Sequence, residues 1–192
     1  MTTDTPTNDS VHAAIWKTIS LLADSPLTKD TGPNQAELAV CFEELKSSDS
    51  DTRSATEERI WALWCDYPSP EAKVVLADGI RFLSGGNLAQ AEAIFDRLVC
   101  EYPTWAETWN KRATVYFLQN RDAQSVADIF RTLELEPRHF GALGGLAQIC
   151  ARNGAPDAVK QALLRLLEIN PHASGVAEAV AAFGDNVPPV LH

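Results

Sequence analysis

CEYPTW, residues 100–105, places a proline just past a strongly helical run. The same event recurs in LELEP, residues 133–137, and in LEINP, residues 167–171. Pro103, Pro137 and Pro171 are therefore 34 residues apart, twice over. A proline just beyond a helix end prevents the helix from continuing. Self-similarity at a fixed period of this length marks one supersecondary unit repeated along the chain.

Alignment on the three prolines gives units 72–105, 106–139 and 140–173. In the first unit Val75, Gly79 and Phe82 share one helical face, and Ala91, Phe95 and Leu98 share a face of a second helix. The equivalents are Trp109, Ala113, Tyr116 with Ser125, Ile129, Thr132, and then Leu143, Ala147, Cys150 with Val159, Leu163, Leu166. These spacings are helical throughout. The breaks within each unit are equally regular: Ser84-Gly85-Gly86-Asn87, Gln119-Asn120-Arg121-Asp122 and Asn153-Gly154-Ala155-Pro156. Gly and Asn accept the positive φ that ends a helix, and Pro156 opens the next one. Ser69-Pro70-Glu71 reads as a helix start, and Thr104-x-x-Glu107 reads as a capping box.

A 34-residue helix–turn–helix with the pattern W-x2-L-G-x2-Y, A-x3-F and a closing proline resembles the tetratricopeptide repeat. The three units give V-x2-D-G-x2-F, A-x3-F, P; W-x2-R-A-x2-Y, S-x3-I, P; and L-x2-L-A-x2-C, V-x3-L, P. The match covers residues 72–171, and the block from Trp105 to Leu146 is similar to small bacterial proteins of this family. The resemblance implies an all-α, right-handed α-solenoid of stacked helix–turn–helix units with flanking capping helices. Gly79, Ala113 and Ala147 are the small residues expected where paired helices cross. Ser125 and Val159 stand where the family has Ala, which implies looser packing. Asp78 and Arg112, equivalent positions of opposite charge, suggest an ion pair across the first unit boundary. Trp109 is expected at the helix crossing of the central unit.

The flanks read as follows. Residues 1–34 form a polar arm with one amphipathic helix over 11–23, its stripe being Val11, Ile15, Ile19 and Leu22. That helix packs on the array, lies in its groove or pairs with another copy. A linker with Gly32-Pro33 follows. Residues 35–68 form a degenerate first hairpin, with CDYP at 65–68 echoing CEYP at 100–103, a polar connection over 46–52 and a second helix from Glu57. Repeat arrays need such atypical ends, because one flank has no neighbour. A capping helix spans 174–184, and 185–192, with Pro188-Pro189, is a flexible tail.

The chain of 192 residues carries a net charge of −10. Residues 1–68 hold 12 acidic and 5 basic side chains, and residues 69–192 hold 14 and 11. This balance repels phosphate backbones and anionic membrane surfaces, so neither nucleic acid nor membrane is expected as a partner. VHAAIWKTISLLA, residues 11–23, is interrupted by His12, Lys17 and Thr18 and lacks a preceding basic region, so it does not read as a secretory signal. The expected location is cytoplasmic. Cys41, Cys65, Cys100 and Cys150 lie singly among apolar neighbours, which fits buried free thiols.

No catalytic set emerges from His12, His139, His172 and His192, no metal-ligand spacing is present, and Gly141-x-x-Gly144-Gly145 follows no strand, so it is not a phosphate loop. No catalytic residue, metal or cofactor is expected. The remaining candidate is the concave face lined by the first helices, which stacked repeats use for binding. Helical geometry offsets it from the packing face and selects Leu76, Ile80 and Leu83, then Asn110, Thr114 and Phe117 with Lys111 beside them, then Gly144, Gln148 and Arg152. Leu76 and Ile80 would form an apolar pocket, and Lys111 and Arg152 a cationic end that suits an acidic segment or a free carboxylate. Only Asn110 and Lys111 resemble the carboxylate clamp of some family members. The function expected is a non-catalytic scaffold binding a peptide segment or helix of another protein. The alternative is a homo-oligomer assembled through the end helices.

Overall fold

A computed structural model describes residues 8–27, 34–67 and 69–183. The expectations for residues 1–7, the Gly32-Pro33 linker, Pro68 and the 185–192 tail lie outside the described residues. The elements are α1 (Asn8–Asp24), α2 (Gln35–Glu44), α3 (Ser50–Cys65), α4 (Pro70–Ser84), α5 (Leu88–Glu101), α6 (Ala106–Leu118), α7 (Asp122–Leu135), α8 (Phe140–Arg152), α9 (Pro156–Ile169) and α10 (Val176–Ala182). The described residues contain no strand.

The pairs α4–α5, α6–α7 and α8–α9 are the three repeat units, and each packs on the next. The first helices α4, α6 and α8 stand side by side, with the second helices behind them. Each intra-unit turn contains one residue of positive φ: Gly86 at 74°, Asn120 at 59° and Gly154 at 68°. Each then closes with a bond from three residues past the helix end back into its last turn. Asn87 N–H donates to Phe82 O at 2.9 Å, Arg121 N–H to Tyr116 O at 2.8 Å, and Ala155 N–H to Cys150 O at 2.9 Å. This satisfies the terminal carbonyls that a helix leaves unpaired. Gly79 sits at a tight crossing, where a Cβ would fall 2.6 Å from the Phe95 ring. Ser125 is buried, and its hydroxyl donates to Ala113 O at 2.8 Å. A hydrogen bond therefore ties α6 to α7 at the position where looser packing was expected.

The N-terminal segments fold back onto the array. α1 lies against α7 and α9, the side opposite the first helices, and buries Val11, Ile15, Ile19 and Leu22 there. A His12 ring nitrogen is 2.9 Å from Asn153 O, and the Lys17 ammonium lies 4.4 Å above the Phe130 ring.

The hairpin of α2 and α3 differs from expectation. It does not stack in front of α4 as a further unit; α3 crosses the edge of the array where the three post-proline turns emerge. Its first two turns border Asn170–Ser174. Trp61 and Trp64 then meet His139 and Phe140, and Tyr67 beyond the helix stacks on Trp105. α2 follows the same edge: Gln35 donates to Glu136, and the Arg138 guanidinium sits 4.4 Å from the Phe42 ring. The α4 face that a preceding unit would cover is accordingly exposed, Val74 at 64%. Its polar neighbours Asp78 and Arg81 pair with each other at 3.0 Å. Arg112 instead binds Asp128 and Asp96 on the second helices, at 2.7 and 2.9 Å, so the expected Asp78–Arg112 pair is absent.

Other local readings are corrected. α3 begins at Ser50, seven residues before the expected start, because Asp49 caps it by accepting from Thr52 N–H at 2.8 Å. α6 is capped by Trp105 without a side-chain bond, so Thr104 and Glu107 form no capping box. Cys41 and Cys150 are buried and Cys65 half-buried, but Cys100 is exposed. Trp109 is half-buried, its indole N–H donating to Pro103 O at 3.1 Å. The buried tryptophans are Trp64 and Trp105, at 5% and 4% exposure.

Truncating a buried aromatic side chain costs about 3–5 kcal/mol. Trp64→Ala is expected to destabilise within that range, and Trp109→Ala by clearly less. Chemical denaturation of both variants, read by far-ultraviolet circular dichroism, checks the order.

Candidate functional site

The first helices bring four of the ten selected groove residues together. Asn110, Thr114 and Phe117 on α6 and Gln148 on α8 line a hollow of about 150 Å³, with Gly141 and Gly145 on its α8 wall and Ser125 and Ile129 beneath. Asn110 is 6% exposed; its Nδ2 donates to Glu107 Oε2 at 3.0 Å. Thr114 is exposed and donates to Asn110 O at 3.0 Å. Phe117 is half-buried, with the Arg152 guanidinium 4.0 Å from its ring centroid. Gln148 is exposed.

The apolar end of the expected site is not an open pocket. Leu76 is 2% exposed and belongs to the core cluster that holds Ala91 and Phe95; Ile80 and Leu83 pack against the same cluster, half-buried. Helical register explains this: Leu76 lies three residues before Gly79, so both face α5. The cationic end is largely neutralised. Lys111 lies 2.9 Å from Glu107 Oε1, in an ion pair outside hydrogen-bond alignment, and 5.0 Å from the Trp61 ring centroid. Arg152 is held by both oxygens of Asp122, by Asn120 Oδ1 and by Phe117 O.

Beside the hollow is a buried polar cluster that sequence spacing did not reveal. Glu107 and His139 are both 0% exposed, and His139 Nε2 lies 2.9 Å from Glu107 Oε2. His139 Nδ1 accepts from Ala142 N–H at 3.2 Å and so caps α8. With Nδ1 an acceptor, the proton sits on Nε2 and points at Glu107. Trp64 stacks on the His139 ring at 4.0 Å, with the planes 10° apart. Trp61 covers Gly141, where a Cβ would fall 2.5 Å from its ring. Burial pushes the Glu107 carboxyl up, but the His139 hydrogen bond and the Lys111 charge outweigh it and leave the group below the ordinary glutamate range. The only signal for this pair is that His139 stands 34 residues after Trp105, at the same ring-bearing position of its turn.

Burial raises Cys65 to about 11 and Cys150 to about 12, which leaves both as thiols at neutral pH. Among the described residues no three His, Cys, Asp or Glu side chains are grouped to hold a metal ion, and no helix is long and apolar enough to cross a membrane.

Three successive 34-residue helical pairs, closed by like turns and stacked first helix to first helix, define a repeat scaffold. No family model matches the chain. A protein of Rhizobium etli named a TPR repeat-containing protein is 32% identical over 131 residues, covering 68% of this chain and 64% of that protein's length. The chain belongs to the tetratricopeptide-repeat family.

Glu107 binds its proton less readily folded than unfolded, so its contribution to stability is complete above the ordinary value of 4.5 and fades as pH falls through the lower folded value. Glu107→Gln should therefore flatten the acid limb of a melting-temperature profile between pH 7 and pH 3, about 7 and 3 being chosen to bracket the carboxylate range. An unchanged slope would mean that the carboxylate contributes nothing to the acid sensitivity.

Proposed function

We propose that the protein is a non-catalytic interaction scaffold whose concave face takes an extended segment or a helix of another protein. The observation that carries this reading is the glycine surface of α8 beside the hollow. Each glycine inside a helix costs about 1 kcal/mol relative to alanine. Gly141 has an internal reason, the close approach of Trp61. A Cβ on Gly144 would meet nothing within 4 Å, and one on Gly145 only Ile129 at an ordinary 3.6 Å. The chain's own packing therefore does not require these two glycines, whereas close approach of a ligand backbone to α8 does. Thr114 and Gln148 flank that surface with hydrogen-bonding groups suited to a peptide backbone.

The preference for an acidic segment or free carboxylate is weaker than the sequence suggests, because Glu107 and Asp122 already neutralise Lys111 and Arg152. A polar, near-neutral segment fits better. The homo-oligomer reading loses its main element, since the apolar stripe of α1 is buried against α7 and α9. Light scattering on the purified chain should therefore give the mass of one copy. A cytoplasmic location is consistent with this role.

The test fills the hollow from its α8 wall. Gly144→Ala should leave binding intact and raise stability by about 0.5–1 kcal/mol. Gly145→Leu should keep the fold and abolish capture of a partner polypeptide by a photocrosslinker placed at Gln148. Undiminished capture in folded Gly145→Leu would remove the concave hollow as the binding surface.

A further inference from the structure

The polar side chains Asn110, Thr114 and Ser125 line the concave hollow, and each directs a donor to the protein's own oxygens. Asn110 Nδ2 donates to Glu107 Oε2 at 3.0 Å, the Thr114 hydroxyl to Asn110 O at 3.0 Å and the Ser125 hydroxyl to Ala113 O at 2.8 Å. The first of these bonds settles the orientation of the amide. The Glu107 carboxyl is held below the ordinary glutamate range, so it is ionised at neutral pH, and an ionised carboxylate only accepts. Asn110 must therefore turn its nitrogen to Glu107, which leaves its carbonyl oxygen as the other end. A hydroxyl that has donated keeps its lone pairs. What Asn110, Thr114 and Ser125 still offer is acceptor oxygen. Gln148, exposed on the α8 wall, carries both a donor and an acceptor.

Among the described residues no charged side chain lines the hollow. The cations beside it are already paired, Lys111 with Glu107 and Arg152 with Asp122. An ammonium or a carboxylate that entered would lose its water without meeting an unpaired opposite charge. The remaining lining is largely apolar, with Phe117, Ile129 and Ile149. The hollow holds about 150 Å³, and a cavity of about that size admits one benzene-sized group. These walls suit a small neutral group with an apolar stem, N–H donors at its tip and an acceptor for Gln148.

We infer that the hollow receives a carboxamide side chain, that of glutamine or asparagine, from the segment bound on the concave face. Its NH2 donates to the Asn110 and Thr114 oxygens, its carbonyl accepts from the Gln148 amide, and its stem lies against Phe117 and Ile129. A carboxylate of the same shape brings acceptors to acceptors. This inference rests on the concave-face reading and names the side chain that anchors the segment there.

The test follows amide chemical shifts of the full isotope-labelled chain with blocked amino acids that differ only in the side chain. N-acetyl-glutamine N-methylamide should shift the Gly141 and Gly145 backbone amides and the Asn110 and Gln148 side-chain amides, saturating in the millimolar range. The γ-methyl ester of the glutamate analogue is neutral and of like shape but has no side-chain donor. It should bind at least about fivefold more weakly, the worth of one hydrogen bond. Thr114→Val, a change of like shape at an exposed position, should weaken the glutamine probe by a similar factor and leave the ester unchanged. Equal binding of the ester, or of the free glutamate or lysine analogue, overturns the carboxamide assignment. So does undiminished affinity for the glutamine probe in folded Thr114→Val. Absence of shifts around the hollow overturns it too. In that case, continued crosslinking of a partner at Gln148 leaves the concave-face reading standing, and loss of crosslinking removes both.

Discussion

The contact of Trp64, His139 and Glu107 is the point on which the rest of the arrangement depends. An indole from α3, an imidazole from the turn between the second and third units, and a carboxylate from α6 meet there out of water. A buried carboxylate is expensive unless it is paired and hydrogen-bonded. Here the imidazole N–H, the Asn110 amide and the Lys111 ammonium surround it. The other imidazole nitrogen caps α8, so the same ring orients a helix and satisfies a charge. Trp64 closes the cluster from above, which ties the stability of the charge to the position of α3.

That placement changes how the array ends. In a stacked solenoid each first helix presents one face to the preceding unit. On α8 this face includes Ala142, Leu146 and Ile149, each fully buried. On α6 it includes Thr108 and Val115, also fully buried, with Arg112 between them ion-paired to Asp96 and Asp128. On α4 it is Val74, Asp78 and Arg81, left to solvent. The apolar character of the face falls from the third unit to the first, as expected of an array whose first unit has no unit stacked in front of it. α3, freed from that task, bridges all three post-proline turns.

One surface remains that the packing of the described residues does not use. On the α8 wall of the concave hollow, a Cβ on Gly144 would meet nothing within 4 Å, and one on Gly145 only Ile129 at 3.6 Å. Lys111 and Arg152, the cations that seemed free for a ligand, are engaged by Glu107 and Asp122 in ways that depend on neighbouring helices.

The sequence by itself determined the 34-residue period, the paired helices, the positive-φ turns at Gly86, Asn120 and Gly154, and the family. These follow from short-range physics: apolar spacing, proline beyond a helix end, and residues that tolerate a left-handed backbone. Asn110, Thr114, Phe117 and Gln148 were legible as one surface because their spacing along parallel helices fixes their common side. Only the tertiary structure decided where α3 lies. Its apolar set, Ile60, Trp61, Leu63 and Trp64, is as compatible with the second helix of a further unit as with a strap across the turns. The choice is made by ring contacts with His139, Phe140 and Trp105, far away in the chain. The same holds for Leu76, which helical spacing alone assigned to the groove and which Phe95 draws into the core. It holds for Arg112 too, whose acidic partners sit on second helices that no repeat alignment places beside it.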